Sequence, residues 1–336
     1  MILTVFVGFF CLFFLSSCLW ALLSDPSIDN YYAFFKELKE KNNTKEAFTA
    51  AGSLSELDTI FDEAFGNTST WIKNSDGTYS YFRVTEGEKN KLEFYAKLFK
   101  EGLLDNEFLT KQWDTKERAF YDGEAAVISG TQGKVIDLYN THMTDQNGAD
   151  AKLMVLPPAK GVGQGYNPID VSKEGRGFAI SILSKHKKEA FALMEFLATQ
   201  EGQILDKLGE EGVQYEISNN KIKLLPAFKD WYERFWGATI NFKPEYPFDE
   251  STPFLSKVAE DSLNKVKQYG TSDNAFIIPQ DLSAKMDACK AIYTEFAADV
   301  VTGKKSIDEF DSFVKNFMDN GGKDITDYAN KQLMVN

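Results

Sequence analysis

The chain has 336 residues, enough for two domains or one discontinuous domain, with 43% hydrophobic and 26% charged residues. A formal net charge of −13 disfavours nucleic acid, which needs a basic face, and equally disfavours docking of the folded body on anionic lipid. Three cysteines (Cys11, Cys18, Cys289) and two histidines (His142, His186) leave no disulfide framework and no multi-histidine metal site.

Residues 1–23 carry no charged side chain, and the first acid is Asp25. The run is long enough to cross a bilayer and reads as a signal peptide or a membrane anchor, although the basic start of a usual signal is missing. Leu15-Ser16-Ser17-Cys18 is similar to the lipobox at which bacterial signal peptides are cut and the new terminal cysteine is lipidated. Cys18 is therefore the candidate lipidation residue. Either route places the body outside the cytoplasm, tethered to a membrane.

Residues 25–41 read as a polar entry followed by a helix, with Tyr31, Phe34, Phe35 and Leu38 on one face. Leu54, Leu57, Ile60, Phe61 and Ala64 share helical spacing that Gly66 closes. Asn74 to Gly77 is a turn signal, and 78–84 alternates like a strand. Trp71, in the polar loop before it, is either a stacking platform for a sugar ring or a ring packed on a domain edge. A further helix follows over 89–102, and Thr115 is the candidate N-cap of a helical turn to Tyr121.

Residues 125–129 read as a buried strand, leading into Gly130-Thr131-Gln132-Gly133-Lys134. The glycines there allow close approach to backbone, and the Gln132 amide can both donate and accept, so Thr131 and Gln132 are candidate ligand contacts. The helix over 135–143 ends at His142, better placed as a dipole partner than as a base. Asp145 to Asp150 starts like a calcium loop but lacks the downstream glutamate, so no metal is expected. After a strand over 153–156, the glycine-rich loop 159–174 does not follow the dinucleotide fingerprint. Tyr166 in this loop, and Arg176 just beyond it, are candidate cleft residues.

Residues 178–183 form an apolar run of strand length, and 189–200 have helical spacing. Phe191, Met194, Leu197 and Ala198 share a face that Leu193 and Phe196 widen, which predicts broad packing. Asn219-Asn220 marks a hairpin turn between 213–217 and 222–225. The aromatics of 228–236 suit either carbohydrate stacking or a packing seam, and Trp231 and Trp236 are candidate ligand contacts. Helices are predicted over 255–269 and 282–301, with Cys289 a small buried apolar residue. Ser306-Ile-Asp-Glu309 is a capping box before Phe310, Phe313, Val314 and Phe317, and a short helix over 326–333 ends the chain.

Three phrases carry a family likeness: Ala119-Phe-x-x-Gly-Glu-Ala-Ala-Val-Ile-Ser-Gly130, the strand–turn–helix run from Gly175 to Gly202, and Gly303-x-x-Ser-Ile-Asp-x-Phe-Asp-x-Phe-Val. With Leu98-Phe-Lys-Glu-Gly-Leu-Leu-Asp105, they resemble the extracellular solute-binding proteins of bacterial ABC importers, in particular the large carbohydrate-binding lipoproteins. The resemblance covers residues 28–336. It implies a helix-rich α/β fold of the type II periplasmic-binding-protein kind, with two lobes joined by hinge crossovers. It also implies a carbohydrate ligand closed between the lobes and passed to the membrane subunits of an ABC permease.

On that likeness, 24–172 are mostly the C-terminal lobe, 173–280 return to the N-terminal lobe with the aromatic-rich segment, and 281–336 are C-terminal helices. The first segment of the N-terminal lobe has no counterpart in this sequence, which leaves that lobe incomplete and with unpaired strand edges. A second reading is therefore a membrane-anchored remnant without transport activity. A third, a glycosidase using two carboxylates, lacks any supporting motif. No nucleophile elbow, zinc signature or phosphate loop is present, so neither enzymatic activity nor a cofactor is expected.

Overall fold

A computed structural model describes residues 2–7, 17–42, 44–130, 132–166, 178–231, 242 and 244–334. In chain order these form β1 (Ile2–Val7), α1 (Ser17–Ser24), α2 (Ile28–Asn42), β2 (Glu46–Thr49), α3 (Ser55–Phe61), β3 (Trp71–Lys73), β4 (Tyr79–Tyr81) and α4 (Glu86–Lys100). Next come α5 (Trp113–Tyr121), β5 (Ala125–Gly130), α6 (Lys134–Asn147), β6 (Lys152–Val155), α7 (Lys187–Ala198), α8 (Gln200–Leu208), β7 (Tyr215–Ser218) and β8 (Lys221–Leu224). The chain ends with α9 (Lys257–Tyr269), α10 (Gln280–Val301), α11 (Phe310–Phe317) and α12 (Lys323–Leu333). Two compact units result, residues 1–168 with 258–336, and residues 169–257. Helix α9 thus belongs to the first unit from Val258 onward, whereas the family likeness groups it with 173–280.

In the first unit a four-stranded sheet has the order β2-β5-β1-β6. β2 and β5 are parallel, and β1 is antiparallel to both of its neighbours. β5 is buried along its whole length, as its continuous apolar run requires for a strand covered on both faces. β2 has no apolar periodicity and gave no strand signal. Its polar residues are buried because they are paired: Thr49 Oγ1 donates to Asp105 at 2.8 Å, and Lys111 lies 3.6 Å from Glu46. The predicted face of α2 enters the core, where Tyr31 and Phe61 meet edge to face at 5.3 Å. Cys289 is buried there as expected.

The apolar start of the chain is used differently from its sequence reading as a segment apart from the body. Residues 2–7 lie between β5 and β6, and α1 buries Leu19 and Leu22 in the core. Among the described residues no helix is long and apolar enough to cross a membrane. A short apolar run satisfies a sheet centre, a core or a bilayer equally well, and only tertiary packing separates the three.

A buried charge cluster ties α3, α4 and α10 together. Lys91, fully buried on α4, donates to Asp58 at 2.8 Å, to Glu88 at 3.0 Å and to Asp62. Arg83 reaches Asp58 at 2.8 Å and Glu88 at 3.2 Å, and its guanidinium lies over the rings of Phe82 and Tyr293, at 4.2 and 4.4 Å from their centres. The Tyr293 hydroxyl, from α10, donates to Glu88, and Asn67 donates to the other Glu88 oxygen at 2.7 Å. Three carboxylates thus share two cations. Burial, reinforced by Asp58 and Glu88, pushes the Asp62 carboxyl up to about 6 despite Lys91, while Arg83 and Lys91 overcome burial to hold Asp58 below the usual carboxylate range.

In the second unit Asn219 and Asn220 both have positive φ (53° and 58°), the geometry of a tight hairpin turn, and β7 pairs with β8 as predicted. Leu208, Tyr215, Ile222 and Phe228 form its small core, with Phe248 stacked on Phe254 at 5.0 Å. Residues 178–183 form no strand, and Leu183 is 86% exposed. On α7 only Leu197 is buried and Phe191 is 54% exposed, so the broad packing predicted for this helix is not formed. A strand requires a neighbour to hydrogen-bond, and the described strands of this unit are the β7–β8 hairpin alone.

Candidate functional site

Because β2 and β5 are parallel neighbours, their carboxyl ends open at the same edge of the sheet. In α/β sheets this is where loops can gather around a ligand. After β2 the chain turns through residues 50–54 into α3, and after β5 residues 132–133 lead into α6. Gly52 N–H donates to the Phe108 carbonyl at 2.7 Å, which holds the first turn against the segment before α5. Gly133, at φ 72°, donates from its N–H to Ser262 Oγ of α9 at 2.9 Å, which fixes the second turn.

α3 and the end of β5 are linked by a buried ion pair. Lys116, in the first turns of α5, donates to Glu56 Oε1 of α3 at 2.8 Å and to the Ser129 carbonyl of β5 at 3.0 Å. Burial lowers the Lys116 ammonium from its usual range and raises the Glu56 carboxyl, and each is opposed by the charge of the other. The Lys116 Nζ lies 3.5 Å from the centre of the Trp113 ring. Trp113 opens α5, whose start is held by reciprocal bonds between Gln112 and Thr115. Thr115 is therefore a partner in the cap rather than the cap itself. A cavity of about 310 Å³ adjoins the 50–55 turn, with Gly52, Ser53, Leu109, Arg83 and Thr294 in its wall.

Of the predicted contacts, Gln132 lies half-buried in the turn after β5, at this edge. Trp71 is only 2% exposed: it stacks on Phe276 at 5.7 Å, and Asn274 bonds its backbone on both sides. It is a core residue and presents no face to a ligand. Tyr166 is 1% exposed, donates its hydroxyl to the Leu156 carbonyl and meets Tyr269 edge to face, so it too is structural. Trp231 belongs to the second unit, where its indole N–H donates to the Asp206 carbonyl at 2.9 Å and its ring packs on the small core. Thr131, Arg176 and Trp236 lie outside the described residues. Cys18 is half-buried in α1, where burial and the neighbouring Glu37 raise its thiol. Trp113, Lys116 and Glu56 were missed. The available signal was a tryptophan in the otherwise polar run Lys111-Gln112-Trp113-Asp114, and nothing in the spacing joined it to Glu56.

Residues 20–204 match the family described as bacterial extracellular solute-binding protein. The chain belongs to this family. Its members are binding components of transporters and not enzymes. A protein encoded in the butB 5′ region of Niallia circulans is 22% identical over 255 residues, which are 71% of this chain and 96% of that protein. Among solved structures, the alginate-binding protein AlgQ2 without calcium ion has a TM-score of 0.66 at 15% identity, over 97% of this chain and 70% of its own. FusA of S. pneumoniae, in complex with kestose, has a TM-score of 0.64 at 15% identity, over 99% and 72%. The N-glycan transport protein NgtS from Streptococcus pneumoniae has a TM-score of 0.61 at 15% identity, over 98% and 71%. The solute-binding protein therefore has the helix-rich α/β fold of the type II periplasmic binding proteins.

Proposed function

We propose that this solute-binding protein is the extracytoplasmic component of an ABC importer that binds an oligosaccharide and delivers it to the permease. The observation that carries the reading is the edge where β2 and β5 end together, with a backbone turn on each strand, the Gln132 amide and an exposed indole. Amides and aromatic faces are the groups that sugar hydroxyls and sugar rings use. Support also comes from the folds it shares, which include proteins solved with kestose and with Man5GlcNAc. Isothermal titration with kestose, Man5GlcNAc and alginate oligosaccharides tests it: saturable heat with the sugar recovered intact is expected. Silence across this panel counts against the reading, and recovery of a cleaved sugar would instead favour a glycosidase. The exposed apolar residues Leu183, Phe191 and Leu193 favour a second reading, a membrane-anchored form that does not transport, for which the same titration is silent.

For the tether, two routes are proposed, lipidation at Cys18 and an uncleaved N-terminal anchor. Cleavage at Cys18 would remove β1, which is paired on both of its edges, whereas an uncleaved anchor would retain it. Intact mass of the protein extracted from its membrane decides between them. A first residue of acylated Cys18 would establish lipidation and overturn the anchor, and an unmodified chain that still carries Ile2 would do the reverse.

A further inference from the structure

The carbohydrate reading leaves open which group at the β2–β5 edge holds a sugar ring, and the geometry points to Trp113. We infer that Trp113 is the stacking platform for one ring of the ligand, held at a fixed angle by the buried Lys116–Glu56 pair; this rests on the reading proposed above. The indole is 43% exposed, in contrast to the buried Trp71. Lys116 Nζ lies against the ring at 3.5 Å from its centre, and the indole keeps its 43% exposure with that contact made. A binding platform must be accessible and must not pay ordering entropy when the ligand arrives, and this ring meets both conditions. Its backbone is the first residue of a capped helix, and the ring lies against an ammonium that is itself bonded to α3 and to the end of β5.

The bland account is a lid that keeps water from Lys116, since single exposed apolar side chains are ordinary. The two accounts differ in what a phenylalanine would do. A stacking platform tolerates Phe, because the ring face remains, and loses affinity with Ala while the fold is unchanged. A lid responds through stability, in step with the size of the side chain.

The test is a glycan array followed by titration of the tightest-binding array sugar, on wild type, W113A and W113F, with melting midpoints measured alongside. W113A is expected to bind at least about tenfold more weakly and W113F within about threefold of wild type, with melting midpoints unchanged. Wild-type affinity in W113A would overturn the inference and leave the carbohydrate reading standing. Loss of affinity that only follows a lowered midpoint in both variants would establish the lid and overturn the platform. If no arrayed glycan binds the wild type, the carbohydrate reading falls and the platform with it.

Discussion

Lys91→Met is expected to lower the free energy of unfolding by about 3–5 kcal/mol, because it leaves three buried carboxylates facing the single charge of Arg83. Methionine nearly conserves the volume of the stem, so the effect isolates the charge rather than a cavity. The loss depends on pH, and its sign follows from Asp62. In the native protein this carboxyl titrates at about 6, above its ordinary value of 3.8, so the folded state binds a proton that the unfolded state has released. The stability that this proton confers is fully present below the unfolded value and is lost as pH rises through the folded one. Without Lys91 the proton is held still more firmly, so the variant is penalised less near about pH 5 than near about pH 8. Urea denaturation of both proteins at the two pH values measures this. Equal midpoints for wild type and variant at the higher pH would show that the cluster carries no net stabilisation.

Trp71→Ala is the second large effect, with about 3–5 kcal/mol expected from loss of the buried indole and the cavity it leaves. Phe276 and Tyr81 lose their ring partner, at 5.7 Å and 5.4 Å. Backbone bonds from Asn274 survive the change, so the local path of the chain should persist. Thermal denaturation would show the loss, and titration of the folded fraction with a bound sugar should give wild-type affinity. A stable variant that binds poorly would return Trp71 to the ligand site. The contrast with Trp113 is therefore sharp. One tryptophan is expected to act on stability and the other on affinity, although the sequence offers the same residue type in two polar surroundings.

Several elements were legible because their physics is local. The α2 face, the Asn219-Asn220 turn and the Ser306–Glu309 capping box each depend on residues a few positions apart, and each formed as read. The buried strand β5 and the turn containing Gln132 were also visible, since a continuous apolar run ended by glycines has few other uses. β2 was not, because Glu46 and Thr49 are buried only through partners at Lys111 and Asp105, far along the chain. The run 178–183 misled in the opposite direction. Its composition suits a strand, but a strand is a property of a pair.

By itself, then, the sequence determined the class of fold, most of its helices, and its kinship with solute-binding proteins, because amphipathic spacing and short phrases act within one element. Tertiary structure alone decided which aromatics are core and which face solvent. Burial of Trp71 depends on Phe276 and Tyr81, and the ammonium beside Trp113 is held by Glu56, contacts closed across tens to hundreds of residues. It also decided that β2 and β5 end side by side, since parallel strands meet only after the chain between them has folded back.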